Sequence, residues 1–103
     1  MLAFELIPDA LEKKGLEYSE SKSTYEYLDE MKKTVLASIM NELEGSEASR
    51  ERVARTDERY IKHVEAIRIA RHAMLKNEAE YKALNAEFDM QRSINANSRN
   101  QRY

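Results

Sequence analysis

Apolar side chains recur every seven residues through the second half of the chain. A heptad has two core positions, and here the second one is polar in four heptads, where it is occupied by Thr56, His63, Asn77 and Gln91. A sustained seven-residue repeat is the period of a left-handed coiled coil, and polar residues at core positions favour bundle-like packing with polar layers. Ile61, Val64 and Ala70 thicken the apolar stripe, which we call the seam. The seam residues are Val53, Tyr60, Ile67, Met74, Tyr81, Leu84 and Phe88.

The same half of the chain contains no glycine or proline after Gly45, so the pattern predicts one long helix over residues 47–92. A shorter helix over residues 24–44 is predicted before it. Ser23 and Glu26 fit a capping box at its start, Gly45 suits its end, and Ser46 is placed to cap the next helix. Its apolar positions step by three and four residues: Leu28, Met31, Val35, Ile39 and Leu43.

The two ends of the chain have weaker patterns. Residues 1–16 predict an arm with a short helix from about Pro8 to Lys14, since proline suits a first helical turn and Gly15 the position after the last. Residues 17–23 predict a linker, and residues 93–103, rich in Asn, Ser and Arg, predict a flexible tail. The arm packs on the main body or docks on a partner, and the pattern does not decide between these. Its apolar residues are Leu2, Phe4, Leu6 and Ile7.

The predicted helices differ in length, which bears on function. At ~1.5 Å per residue the first is roughly 30 Å long and the second roughly 70 Å. A two-helix hairpin then leaves the distal half of the seam exposed, and exposed apolar stripes of that extent usually mark an interface. We therefore expect a homo-oligomer assembled through the seam. The alternative is that the second helix breaks near Lys76–Asn77 and folds back as a third helix.

Composition agrees with a helical fold. The chain has 103 residues, enough for one domain, and 35% of them are charged, with only two glycines and one proline. This balance favours long helices over a sheet, so we predict an all-α hairpin with a long second helix, assembled as a coiled-coil-like or helical-bundle oligomer. The absence of cysteine excludes disulfides. No run approaches the ~20 apolar residues of a membrane span, so we expect a cytoplasmic protein without a membrane partner.

Charge is divided along the chain. Residues 1–47 carry five Lys and Arg against eleven Asp and Glu, whereas residues 48–103 carry twelve against eight. Within the basic half, Arg52, Arg55, Arg59 and Lys62 share one side of the predicted helix. Such a stripe can follow a phosphate backbone by electrostatics. The ordinary explanation is a surface network of salt bridges, or a face that meets the acidic first helix.

Candidate chemistry is sparse. His63 and His72 lie nine residues apart, point in different directions on a straight helix, and lack the spacing of a zinc site. The carboxylates have no evident pocket that would separate their pKa values for acid–base work, and no glycine-rich phosphate loop is present. We therefore expect no enzyme, no cofactor and no metal.

The segment from Asn77 to Arg92, NEAEYKALNAEFDMQR, precedes a tail rich in Arg, Asn and Ser. This last third of the chain resembles the C-terminal part of small helical proteins of tailed bacteriophages, often encoded near recombination and single-strand annealing genes. The resemblance implies a phage or prophage origin, a place in the cytoplasm of the bacterial host, and an accessory role in DNA metabolism. It transfers no catalytic or binding residue.

Together these patterns predict a non-enzymatic interaction protein that self-associates and binds a protein partner. The alternative is an accessory nucleic-acid-binding protein that contacts phosphates through its basic helix face. A salt titration separates the two, because phosphate contact makes affinity fall linearly with the logarithm of salt concentration.

Overall fold

The computed structural model describes residues 2–100, and in this range the chain is helical without any strand. A 3-10 turn over Phe4–Leu6 leads into α1, Ile7–Met40, which is followed by α2, Glu47–Ala54, and α3, Glu58–Asn100. The predicted all-α fold is confirmed.

Helix α1 is much longer than the sequence predicted. Residues 17–23 lie inside it, so the predicted linker and the helix start at Ser23 were wrong. Pro8 lies in the first turn, where its missing N–H costs nothing. The covered face continues through the segment because Tyr18, Ser21 and Tyr25 are half-buried at spacings of three and four. A helical period is present there, but it is formed by Ser21 and two tyrosines and not by aliphatic residues.

Gly15 lies in the interior of α1, and the helix does not end there. The backbone at this position needs no left-handed conformation, because Gly45 is the glycine with positive φ. A Cβ added at Gly15 would lie 3.3 Å from Cε2 of Tyr81, which is closer than ordinary carbon contacts. The glycine therefore permits close approach between α1 and an aromatic ring of α3.

The connection from α1 to α2 follows the predicted turn chemistry. The last turn tightens, with the backbone N–H of Leu43 donating to the carbonyl of Met40 over 3.0 Å. Gly45 then adopts φ +117°, a conformation that disfavours any side chain. The hydroxyl oxygen of Ser46 accepts from the backbone N–H of Ser49 over 3.2 Å, so Ser46 caps α2 as expected.

The predicted second helix is interrupted at residues 55–57, which separate α2 from α3. The hydroxyl of Thr56 donates to the carbonyl of Val53 over 2.7 Å, and a carboxylate oxygen of Asp57 accepts from the backbone N–H of Arg59 over 2.8 Å. These side chains satisfy helix-end groups without glycine or proline. The alternative break at Lys76–Asn77 is absent, because α3 is continuous there.

Helix α3 also continues past the predicted start of the tail. Residues 93–100 are helical, so the flexible tail predicted for residues 93–103 is wrong over that range. The remainder of the predicted tail, residues 101–103, lies outside the described residues.

The chain forms two compact units. The central unit contains residues 21–74. Its buried cluster joins Ile39 of α1, Ala54 of α2 and Tyr60 of α3. Val35, Leu36, Met40 and Leu43 pack against these three residues.

The terminal unit contains residues 2–20 and 75–100. The rings of Phe4 and Phe88 stack with centroids 5.6 Å apart and planes within 3°. Farther along, Tyr18 meets Tyr81 with ring centroids 6.1 Å apart. Since residue numbers rise on one helix as they fall on the other, α1 and α3 are antiparallel within this unit.

Candidate interaction surface

The predicted oligomer seam is largely covered by the chain itself. Tyr60 is buried, and five further seam residues are half-buried: Ile67, Met74, Tyr81, Leu84 and Phe88. In the terminal unit Phe88 stacks on Phe4, and Tyr81 lies against Tyr18 and Gly15. The premise that the distal seam lacks an intrachain partner was wrong, because α1 begins at Ile7 and reaches it.

Val53 departs from the rest of the seam. It lies on α2 and its side chain is 49% exposed. The seven-residue count from Val53 to Tyr60 assumed one unbroken helix, and residues 55–57 break that helix between them. The heptad spacing therefore holds from Tyr60 onward only.

Part of the apolar arm packs within the terminal unit, and its docking on a partner stays a prediction. Ile7 is fully buried and Phe4 is half-buried under the ring of Phe88, whereas Leu2 and Leu6 are exposed. The backbone N–H of Leu2 donates to a carboxylate oxygen of Glu87 over 3.0 Å. The two best-covered of these four apolar side chains, Ile7 and Phe4, therefore pack within the terminal unit.

Polar contacts also hold the terminal unit together. The ammonium group of Lys14, only 20% exposed, lies 2.5 Å from a carboxylate oxygen of Glu80 and 2.6 Å from one of Glu17. Hydrogen bonds from Lys14 lower the pKa of both carboxyl groups, and those carboxylates raise the pKa of Lys14. The hydroxyl of Tyr18 donates to Glu78 over 3.0 Å. On α3 the acceptors Glu78 and Glu80 precede Tyr81, so this polar layer adjoins the Tyr18–Tyr81 contact.

The four basic residues predicted to touch phosphates do not form one helix face. Arg52 lies on α2, Arg55 follows its end, and Arg59 and Lys62 lie on α3. All four are exposed, and three of them bind carboxylates. The guanidinium of Arg55 lies 2.7 Å from Glu51, and the ammonium of Lys62 lies 3.1 Å from Glu58.

Arg59 joins two elements of the central unit. Its guanidinium lies 2.5 Å from Glu42, which follows α1, and 3.1 Å from Asp57. These hydrogen bonds lower the pKa of both carboxyl groups and raise the pKa of the guanidinium. The basic residues thus take part in a surface salt-bridge network that includes an acidic residue from the first half of the chain.

His63 occupies a polar layer of the central unit. Its Nε2 lies 2.7 Å from the backbone carbonyl oxygen of Leu28, in hydrogen-bond range when that nitrogen carries the proton. Within residues 2–100 no group of three or more metal-ligating side chains is assembled. In the same range, no helix has the length and apolarity that a membrane span requires.

Exposed apolar side chains lie on an outer face of α3 in the central unit. Ile61 is 54% exposed and Val64 is 38% exposed. They line an open depression of about 310 Å³ together with Tyr60, between Arg55 at one end and Glu65 at the other. These five residues are named the α3 patch. Ile61 and Val64 are predicted to thicken the seam, but they lie toward solvent on its flank.

The α3 patch has a defined edge because Arg55 is held over Tyr60. A guanidinium nitrogen donates to the tyrosine hydroxyl over 3.2 Å, and the guanidinium carbon lies 5.8 Å from the ring centroid. At the other edge, Glu65 accepts from Arg68. The sequence signal for this site is the pair of apolar residues Ile61 and Val64, three residues apart, followed by Glu65.

A larger open groove of about 740 Å³ lies in the terminal unit. It is lined by Phe4, Asp89, Arg92, Ser93, Asn95, Ala96, Ser98 and Arg99. Arg92 extends over the ring of Phe88, with its guanidinium carbon 5.7 Å from the ring centroid. Most of these side chains are exposed.

Comparisons with known proteins bring no further assignment. The sequence matches no protein-family model, and neither a curated protein nor a solved structure matches it.

Proposed function

We propose that this chain is a non-enzymatic helical assembly protein that associates with copies of itself and with a protein partner. The observation that carries this proposal is the amount of large apolar side chain left at the surface. Among residues 2–100, eleven large apolar residues are exposed, while five apolar residues are buried and two of those are alanines. Single exposed apolar residues are ordinary, but a contiguous set around a depression is typical of an interface.

Self-association does not require the seam. The seam packs largely within the chain, so self-association would use the outer surface, where Ile61 and Val64 line the same depression. Association there would remove apolar area from water, at about 25 cal/mol for each Å².

The ion pairs weigh against phosphate binding as the main activity. A phosphate backbone approaching Arg59 would compete with two carboxylates, those of Glu42 and Asp57, which lie 2.5 Å and 3.1 Å from its guanidinium. A phage-encoded accessory role remains a proposal that follows from the resemblance of the C-terminal third.

Molar mass measured by light scattering and sedimentation tests the proposal directly. We expect the mass of the intact chain to rise above the monomer value of 12.0 kDa as its concentration increases from about 1 µM toward about 1 mM. A constant monomer mass over this range would contradict self-association. The alternative is tested by measuring the affinity of the chain for single- and double-stranded DNA at increasing salt concentration. Phosphate binding requires this affinity to fall linearly with the logarithm of salt concentration.

A further inference from the structure

We propose that the α3 patch binds the α3 patch of a second copy of this chain, with the two α3 helices antiparallel about a two-fold axis between Ile61 and Val64. This inference rests on the proposed self-association and specifies its surface and orientation. The occupant is argued from the order of chemical groups along the patch.

The patch has a cation at one end and a carboxylate at the other. Arg55 precedes the apolar pair along the chain and Glu65 follows it. A two-fold axis between Ile61 and Val64 places Glu65 of each copy opposite Tyr60 of the other copy. Since Arg55 lies over Tyr60, it meets the carboxylate of the second copy, and this contact occurs twice.

The opposite orientation lacks this match. Parallel helices would set each Arg55 beside the other Arg55 and each Glu65 beside the other Glu65, and like charges that face each other oppose association. The charge order therefore selects the antiparallel arrangement.

The apolar centre suits such a partner. Ile61 and Val64 are exposed beside a depression. The same two side chains of a second copy can therefore enter the depression of the first copy, and the first copy's side chains enter the depression of the second. The intrachain pairs Arg55–Glu51 and Glu65–Arg68 join side chains between 41% and 69% exposed. Such exposed pairs contribute little and can add a second partner at low cost.

The first experiment compares two matched substitutions by sedimentation equilibrium. Ile61→Asp places a charge inside the patch, and Ile94→Asp places the same charge in the terminal unit, where the native residue is 57% exposed. We expect Ile61→Asp to weaken self-association by at least about tenfold and Ile94→Asp to change it by less than about threefold. Circular dichroism melts establish that both variants remain folded.

The second experiment reverses the charges. Glu65→Arg alone and Arg55→Glu alone each place like charges opposite each other twice, so we expect each to weaken self-association by about tenfold. The double variant restores both attractive contacts, and an equimolar mixture of the two single variants forms heterodimers. Parallel α3 helices would give no such rescue in the double variant, because its like charges would still face each other.

The outcomes separate this inference from the proposed function. Self-association that is equally strong in Ile61→Asp and in the intact chain overturns the α3 patch as the interface and leaves the proposed function standing. A chain that is monomeric at every concentration overturns both. Loss of self-association in Ile61→Asp without rescue by the double charge reversal overturns the antiparallel arrangement.

Discussion

Gly15 offers a sharp test of whether α1 runs unbroken from the arm into the central unit. Replacing a helix-interior glycine with alanine gains about 1 kcal/mol from helix propensity. Here the new Cβ would lie 3.3 Å from Cε2 and 3.7 Å from Cζ of Tyr81, so the ring must move by a few tenths of an ångström. Displacing a packed side chain from its rotamer costs about 0.5–1.5 kcal/mol. The two effects nearly cancel, and we expect Gly15→Ala to change the free energy of unfolding by less than about 0.5 kcal/mol.

Removing the ring separates the two effects. In a Tyr81→Ala background the close contact is gone, and Gly15→Ala should then stabilise the protein by about 1 kcal/mol. The measurement is urea unfolding followed by circular dichroism for the four chains of this double-mutant cycle. A coupling of about 0.5–1 kcal/mol between the two positions is expected.

Gly45→Ala is the control, because Gly45 has φ +117° and no close neighbour beyond Ser49. An alanine there should destabilise the protein by about 1–2 kcal/mol, whatever residue occupies position 81. If Gly15→Ala destabilises the protein by a similar amount in both backgrounds, the first helix ends at Gly15 and the described packing of α1 is refuted. A full 1 kcal/mol gain in both backgrounds would refute the contact with Tyr81.

Two further predictions concern the terminal unit. A double-mutant cycle of Phe4→Ala and Phe88→Ala should give a coupling of about 0.5–1.5 kcal/mol in urea unfolding, since the rings stack at 5.6 Å; additive effects would contradict the stack. The pKa of Glu80 is lowered by its hydrogen bond from Lys14, so its stabilising contribution is present above the ordinary carboxyl pKa and is lost as pH falls through the lowered value. Melting temperature measured between about pH 3 and pH 7 should therefore fall less steeply toward acid for Glu80→Gln than for the intact chain, and identical profiles would contradict the assignment.

The sequence predicted those features that depend on local chemistry or on a clear apolar period. The all-α class follows from composition and spacing, and the turn between α1 and α2 follows from Gly45 and Ser46. The half-buried positions of α3 continue the heptad count from Tyr60 through Phe88.

The errors in helix length have one physical source. A linker was predicted from polar residues, but Ser21 is a half-buried position on a continuous helix. Lys14, just before the predicted linker, is likewise covered by packing against α3, where it binds the carboxylate of Glu80. Tertiary contacts stabilised a helix that the local apolar pattern did not indicate. The break at residues 55–57 was not predicted, because Thr56 and Asp57 form it through side-chain hydrogen bonds and no glycine or proline marks the position.

The candidate site was predicted less well than the fold. Ile61 and Val64 were identified as apolar residues of the long helix, but their orientation toward solvent depends on which face α1 covers. The charge relation between Arg55 and Glu65 requires the depression to be known, and Arg55 reaches it by packing over Tyr60. No sequence spacing contains that information.

The antiparallel contact between the beginning of the chain and α3 has a consequence for the order of folding. Contacts of the central unit, such as Arg59 with Glu42 and His63 with Leu28, close loops of 17 and 35 residues, whereas Leu2 meets Gln91 across 89. Short loops close first, because closing a longer loop loses more chain entropy. We therefore expect helix pairing to propagate outward from the α1–α2 turn, with Leu2 and its neighbours the last to join and the first to exchange their amide hydrogens with solvent.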